Sequence, residues 1–227
     1  TRLVETGRFE ARTNAPVQAI RRLPDGVLVH AGGRTESFDQ VVLAAPADRA
    51  LAMLGAGASK LERDLLGAIR YQPNRAVVHS DPALLPKRRR VWASWNYMAA
   101  DGQSGSDRVS VSYWINRLQN LALPEPIVVS LNPNREPAAD RSFAEFVYRH
   151  PQFDQAAIDA QALMPAIQGV NRTWFAGSYC GYGFHEDAVE SGLSVAGALG
   201  APAPWAGEVS RRTPPVPMAE EPQMVAA

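Results

Sequence analysis

The stretch RTWFAGSYCGYGFHEDAVESGLSVAGAL, residues 172–199, decides the fold. It starts as a short apolar run ending in Ala176-Gly177. A loop of glycines and aromatics follows, and helical spacing sets in near Glu186. A strand, a glycine-bearing loop and a helix start are the parts of an open α/β sheet, whose ligands sit beyond the carboxyl ends of the strands. The free backbone N–H groups of a helix start suit an electron-rich ligand group. Gly177, Gly181 and Gly183 would let the backbone come close to such a ligand. The plainer reading is that Glu186 and Asp187 only complement the dipole of the first helical turn. Ala188, Gly192 and Ala196 recur at every fourth position. That narrow stripe predicts close packing of the helix on a sheet, which is compatible with a ligand at its start.

Working outward, residues 15–46 read as short strands and turns. Val41–Ala45 is a continuous apolar run stopped by Pro46, and predicts a strand covered on both faces in a parallel sheet. Two helices are predicted next, ADRALAML (47–54) and SKLERDLLGAIR (59–70). The second opens with Ser59 and Glu62 at capping-box spacing. Residues 71–150 change character. RAVVHS (75–80), VWASWNY (91–97), RVSVSYWIN (108–116), PIVVSLN (126–132) and FAEFVYRH (143–150) read as strands without helices between them, hence an antiparallel sheet. Within VSVSYW, period two puts Val109, Val111 and Tyr113 on one face. A helix is predicted over 153–164, ended by Pro165, and a last one runs to Gly200. The proline-rich tail 201–227 predicts disorder.

The chain has 227 residues, 46% of them hydrophobic, enough for one large domain or two small ones. Its formal net charge is zero, which gives no basis for a nucleic-acid or anionic-membrane partner. The run Lys87-Arg88-Arg89-Arg90 is too narrow to change that and reads as a solvated loop before a strand. A single cysteine, Cys180, excludes an internal disulfide and a cysteine metal site. It suits a reducing cytoplasm. No apolar run approaches the ~20 residues of a spanning helix, so no transmembrane segment is expected. No hydrolase triad and no metal cluster is evident. The chain begins at Thr1 in what reads as the middle of a domain, so a missing N-terminal part is expected. Oligomeric state is not set by the sequence.

Residues 172–199 resemble the C-terminal flavin-binding motif of the flavin-containing amine oxidase family of FAD-dependent oxidoreductases. Gly177, Glu186–Ala188 and Ser191-Gly192 carry the match. APVQAIRR (15–22) and GVLVHAGGRTESFDQVVLAAP (26–46) resemble that family's adenine-side segment. The resemblance implies the C-terminal part of an FAD/NAD(P)-binding Rossmann-like α/β fold with an inserted antiparallel substrate-binding β-sheet. Four parts follow from it: an FAD-binding segment over 1–70, the substrate sheet over 71–152, the C-terminal FAD-binding strand and helix over 153–200, and the tail. It also implies FAD contacts at Val17, Ala45, Pro46, Gly177, Glu186, Asp187 and Ala188. The expected chemistry is hydride transfer from a small-molecule or lipid-like substrate to FAD. Two other readings stay open, a desaturase or isomerase of lipid or isoprenoid chains and a non-catalytic binding module.

Three departures limit the transfer. No Gly-x-Gly-x-x-Gly, the motif that cradles a dinucleotide pyrophosphate, occurs in these residues. Tyr179 stands where many members carry an acidic residue. The only lysines, Lys60 and Lys87, lie in a polar helix face and the basic run, neither of which suits the substrate-domain lysine of many amine oxidases. Trp95, Tyr113, Tyr148 and Phe184 are the candidate substrate contacts; the polar and aromatic residues of the predicted sheet also include Trp92, Asn96, Tyr97 and Trp114. His185 and His150 are the candidate acid–base groups, since a histidine titrates near neutral pH.

Overall fold

The computed structural model describes residues 9–98 and 110–205. The chain divides into two compact units, one holding residues up to Ile69 and from Phe153 onward, the other Arg70–Gln152.

In the first unit, β1 (Val17–Arg22), β2 (Val27–Ala31) and β3 (Arg34–Phe38) form an antiparallel meander. β4 (Val41–Leu43) leads into α1 (Ala47–Leu54) and α2 (Lys60–Ala68). The expected capping box is present. Glu62 N–H donates to Ser59 Oγ at 3.1 Å and Ser59 N–H to Glu62 Oε2 at 2.6 Å. Leu54, Leu65, Leu66 and Ile69 are buried, each contributing roughly 1.5–3 kcal/mol by removal from water. Glu62 is buried among them and is neutralised by Arg22 at the end of β1.

The unit resumes with α4 (Gln155–Leu163), capped by Asp154 accepting from Ala157 N–H at 3.0 Å. Pro165 then sits in a 3-10 turn rather than ending the chain's helical path. β10 (Thr173–Phe175) pairs parallel with β4, and α5 (His185–Ala198) follows. The expectation that β4 is covered on both faces is corrected. Leu43 is buried but Val42 is 43% exposed, because the parallel sheet holds only these two strands among the described residues and one of its faces is bare.

The second unit is a five-stranded antiparallel sheet in the order β6-β7-β8-β5-β9. Its strands are β5 (Tyr71–His79), β6 (Trp95–Met98), β7 (Ser110–Trp114), β8 (Val128–Leu131) and β9 (Ser142–Pro151), with a four-residue helix α3 (Ile115–Leu118) after β7. β6 is shorter than the sequence suggests. Asn96 bonds back to Ala93 N–H and O, holding 93–96 in a turn, and Arg89–Val91 is a 3-10 turn. Val109 lies outside the described residues, as does the tail beyond residue 205.

Register separates the two faces of this sheet. Phe146 lies opposite Ala76, which lies opposite Leu131, then Val111, then Tyr97. The other face carries His79, Ser130, Ser112 and Asn96, all buried. Buried Leu85, Trp92 and Val128 form an apolar cluster in this unit, with Trp114 packed against it.

Candidate functional site

The site begins at the carboxyl edge of the parallel sheet. Thr173 lies opposite Val41 and Phe175 opposite Leu43, so β4 and β10 leave the sheet on the same side. Ala176 N–H donates to Leu43 O at 3.1 Å, carrying the pairing one residue further. Ala45 and Pro46 follow one strand there and Gly177 follows the other. Pro46 O accepts the N–H of Arg49 and of Ala50, both at 2.9 Å, which starts α1. The structure thus brings Ala45, Pro46 and Gly177 to neighbouring strand ends, where open α/β sheets place ligands. Val17 lies in the separate meander, opposite Ala31, beside a register irregularity between Val17 and Ala19.

Ser191 fastens α5 to this edge. Gly177 N–H donates to Ser191 Oγ at 2.9 Å, and the hydroxyl reaches Ala188 O at 2.9 Å. The loop between is held from two sides. Gln161 Nε2 donates to the carbonyls of Tyr179 at 3.0 Å and Gly181 at 2.6 Å. Asp187 Oδ2 accepts the N–H of Tyr182 at 3.1 Å and of Phe184 at 2.7 Å. The loop glycines make room for the chain's own side chains. A Cβ on Gly181 would overlap the Asp187 carboxylate, and one on Gly177 would come within 2.7 Å of the Tyr179 ring, which is buried.

α5 opens with the backbone N–H groups of His185, Glu186 and Asp187, which no acceptor meets among the described residues. These are the helix-start donors left free by geometry. Tyr182, Phe184, His185 and Glu186 are exposed. The small-residue stripe does not pack as expected. A Cβ added at Gly192 would meet nothing within 4 Å, and Val195 is the one buried residue of α5. Cys180 is partly covered, and burial pushes its thiol up to about 11, so it stays protonated at neutral pH.

In the second unit, the structure places Trp95, Tyr113 and Tyr148 on one sheet face. Trp95 meets Tyr113 edge-to-face at 6.2 Å. Tyr148 stacks with Phe146 at 5.9 Å and is 6.4 Å from His150. Tyr97 joins the β6 edge at 68% exposed. Val111, Val129, Leu131 and Val78 form the floor between these edges, across four strand spacings of ~4.8 Å each. Burial holds the Tyr113 hydroxyl above its ordinary range, with a smaller push from Tyr97. At one corner Asn132 Nδ2 donates to Asn74 Oδ1 at 2.7 Å, and Asn74 Nδ2 bonds His150 Nδ1 at 2.8 Å. His150 Nδ1 therefore accepts, and its proton sits on Nε2. Trp92, Asn96 and Trp114 do not join this wall; they lie away from it, on the packed side of the sheet. Among the described residues no cluster of His, Cys, Asp and Glu could hold a metal.

Ser191, Gln161 and Asn74 are the positioning residues that sequence reading misses as such. Ser191 carried part of the motif, but nothing in spacing marks Gln161 or Asn74.

Residues 2–79 match the family described as flavin containing amine oxidoreductase. No curated protein matches the chain. Solved structures share its fold, among them the three that follow. A CLA-producing fatty acid isomerase from P. acnes superposes with TM-score 0.59 at 15% identity, covering 86% of this chain and 50% of that one. A putrescine oxidase bound to putrescine gives 0.56 at 15% identity, covering 88% and 51%. A protein assigned as a protoporphyrinogen oxidase from Exiguobacterium gives 0.53 at 13%, covering 84% and 47%. The fold is the mixed α/β fold of FAD-dependent oxidoreductases. The chain spans about half the length of these structures. No helix among the described residues is long and apolar enough to cross a membrane.

Proposed function

We propose that this chain belongs to an FAD-dependent oxidoreductase that takes a hydride from an organic substrate. The observation that carries the reading is the meeting of β4, β10 and the start of α5 at one sheet edge, with unaccepted N–H groups at His185–Asp187. Those groups fit the electron-rich ring end of a flavin. Ala45, Pro46 and Gly177 would line it at the strand ends, the backbone of Glu186–Ala188 would contact it, and Val17 would serve the adenine side. No pyrophosphate cradle occurs in the sequence, so the fit covers part of the cofactor only. FAD, when bound, supplies the hydride acceptor.

The chain's own residues supply charge, shape and proton control. The first turn of α5 offers partial positive charge, which favours a reduced, electron-rich group beside it. Asp187 keeps the preceding loop in place. The aromatic wall of Trp95, Tyr113 and Tyr148 in the second unit orients an apolar substrate; Phe184, in the loop before α5, is a separate candidate contact within the first unit. Tyr113 remains a protonated donor, and His150, whose Nδ1 accepts from Asn74, presents its Nε2 proton. His185, exposed at the helix start, is the second acid–base candidate. The protein works in the cytoplasm, where Cys180 stays reduced.

A second reading is favoured by the breadth of the apolar face. A floor of Val78, Val111, Val129 and Leu131 with aromatics at both edges suits a lipid-like chain and a desaturase or isomerase reaction better than a compact polar amine.

The test is to purify the full-length protein and record its visible spectrum, then add candidate substrates without oxygen. A yellow protein bleached by a substrate supports the reading. A full-length protein that is colourless and takes up no FAD overturns it. Bleaching by an amine against turnover of an unsaturated fatty acid separates the two readings.

A further inference from the structure

A cavity of about 260 Å³ lies at the end of β7, lined by Arg89, Trp114, Asn116, Arg117, Leu121, Leu123, Pro124, Glu125 and Pro126. Both arginines are held at buried Trp92. Arg117 Nη1 donates to Trp92 O at 3.0 Å, and the Arg89 guanidinium carbon sits 5.4 Å from the centre of the Trp92 ring. Trp92 in turn meets Trp114 edge-to-face at 5.4 Å and anchors its own N–H on Pro86 O at 2.7 Å. Neither guanidinium has an ion-pair partner among the described residues. Glu125 lines the same cavity without pairing to either, although its carbonyl accepts from Asn116 Nδ2 at 2.9 Å.

One further observation separates this cavity from an ordinary surface dent. Trp114 Nε1 is buried and has no acceptor among the described residues. A buried indole N–H normally finds a partner, and leaving it without one costs about 1–3 kcal/mol. The neighbouring Trp92 shows the usual arrangement. Here a donor without an acceptor, two cations without acids and an apolar lining of leucines and prolines come together.

We propose that this cavity binds a small organic carboxylate. The carboxylate would sit against Arg89 and Arg117 and give Trp114 Nε1 its acceptor, which requires a small shift of the indole toward the opening. The apolar body would lie against Leu121, Leu123, Pro124 and Pro126. The volume falls below the usual range of drug-sized sites, roughly 300–1,000 Å³, which limits the ligand to a compact acid. Two guanidinium groups outweigh the single Glu125 carboxylate, and guanidinium matches carboxylate in a two-bonded geometry. Trp114 belongs to the packed face of the sheet, so this site is distinct from the aromatic wall around Tyr113.

The test uses the full-length protein labelled with ¹⁵N-tryptophan and titrated with sodium benzoate. The Trp114 indole signal is identified by its loss in Trp114→Phe. It should shift saturably below about 10 mM benzoate, a dissociation constant of the weak-ligand class. Arg117→Gln should weaken binding about tenfold or more, as loss of a charge-assisted pair does. Arg89→Gln should weaken it too, and this exposed side chain only stacks on Trp92, so the variant keeps the fold. A signal that does not move overturns the proposal. So does an equal shift with inorganic phosphate, which marks an adventitious ion only, or with benzyl alcohol, which lacks the charge. Unchanged benzoate binding in Arg89→Gln overturns it as well.

Discussion

Asp187 Oδ2 accepts the backbone N–H of Phe184 at 2.7 Å, so an acidic residue in the first turn of α5 binds backward into the loop that precedes it. The same oxygen takes Tyr182 N–H, and the bare Cα of Gly181 leaves space for the carboxylate. The acidic helix start is thus a structural clasp, and the free donors beside it are backbone groups.

This clasp predicts coupling between Gly181 and Asp187. Gly181→Ala should destabilise the protein by about 1–3 kcal/mol through overpacking. Asp187→Ala should cost about 1–2 kcal/mol through the lost cap. In the double variant the cost of the added methyl should fall in part, since the carboxylate is gone while the Cβ of residue 187, 2.8 Å from the new methyl, stays. Urea unfolding of the four proteins checks this through a double-mutant cycle. Additive losses would show that the two residues do not share one space.

Glu62 and Arg22 form the buried charge pair of the first unit, with Glu62 only 1% exposed. Burial opposes the Glu62 charge, but hydrogen bonds from Arg22 and Ser59 outweigh it and hold the carboxyl below its ordinary value of 4.5. The depressed folded value sets the sign. The contribution is complete above the unfolded value and is lost as pH falls through the folded one. Stability should therefore drop below about pH 4.5 in the wild type, and less steeply in Glu62→Gln. Arg22→Ala should cost about 3–5 kcal/mol at neutral pH, because it strands a buried carboxylate. Thermal unfolding between acid and neutral pH measures both.

A second pH effect comes from the sheet. His79 is fully buried; its Nε2 bonds Ser130 Oγ at 2.8 Å, and Ser130 Oγ bonds Ser112 Oγ at 2.7 Å. Its Nδ1 accepts Asp81 N–H at 3.1 Å. Burial pushes the imidazole below its ordinary 6.5, against the pull of the Asp81 carboxylate. The folded state then binds the proton less readily than the unfolded chain. Stability is complete above pH 6.5 and falls as pH drops from there toward the folded value. Ser130→Ala should cost about 1–3 kcal/mol by leaving the Nε2–H without an acceptor. His79→Phe should flatten the pH dependence between pH 5 and 7, roughly the titration range of an ordinary histidine. A slope unchanged in that variant would assign the effect elsewhere.

Much of this was readable in the sequence, and the reasons are local. The Ser59/Glu62 box, the five strands of the second unit and the shared face of Val111 and Tyr113 all follow from spacing. Trp95, Tyr113 and Tyr148 read as one wall, and register puts them on one face. Trp92 and Trp114 read as members of the same wall, yet they lie away from it. Sequence shows that aromatics sit in strands, but the phase of each strand depends on its turns, and the Asn96–Ala93 turn sets where β6 begins. The Arg22–Glu62 pair spans forty positions and leaves no pattern. The bareness of Val42 and Gly192 was equally hidden, because periodicity reports an apolar face without reporting what covers it.

That bareness carries the last prediction. Gly192 lies inside α5 with open space where a Cβ would stand, so no packing among the described residues explains it. If nothing approached it in the full-length protein, Gly192→Ala would be a plain helix substitution and would stabilise by about 0.5–1 kcal/mol. If the stripe lies against a cofactor or another segment, as the proposed function requires of the neighbouring Ala188 backbone, a larger side chain must interfere. Gly192→Leu and Ala188→Leu should then lower FAD affinity about tenfold or more in the full-length protein, a loss of about 1.4 kcal/mol. Alanine at 192 should have a small effect. Fluorescence titration of the flavin-stripped protein measures this, with circular dichroism to confirm that α5 persists. Wild-type affinity in both leucine variants would place the cofactor away from this helix face and leave Val17 and the strand ends at Ala45, Pro46 and Gly177 as the remaining candidate contacts in the first unit.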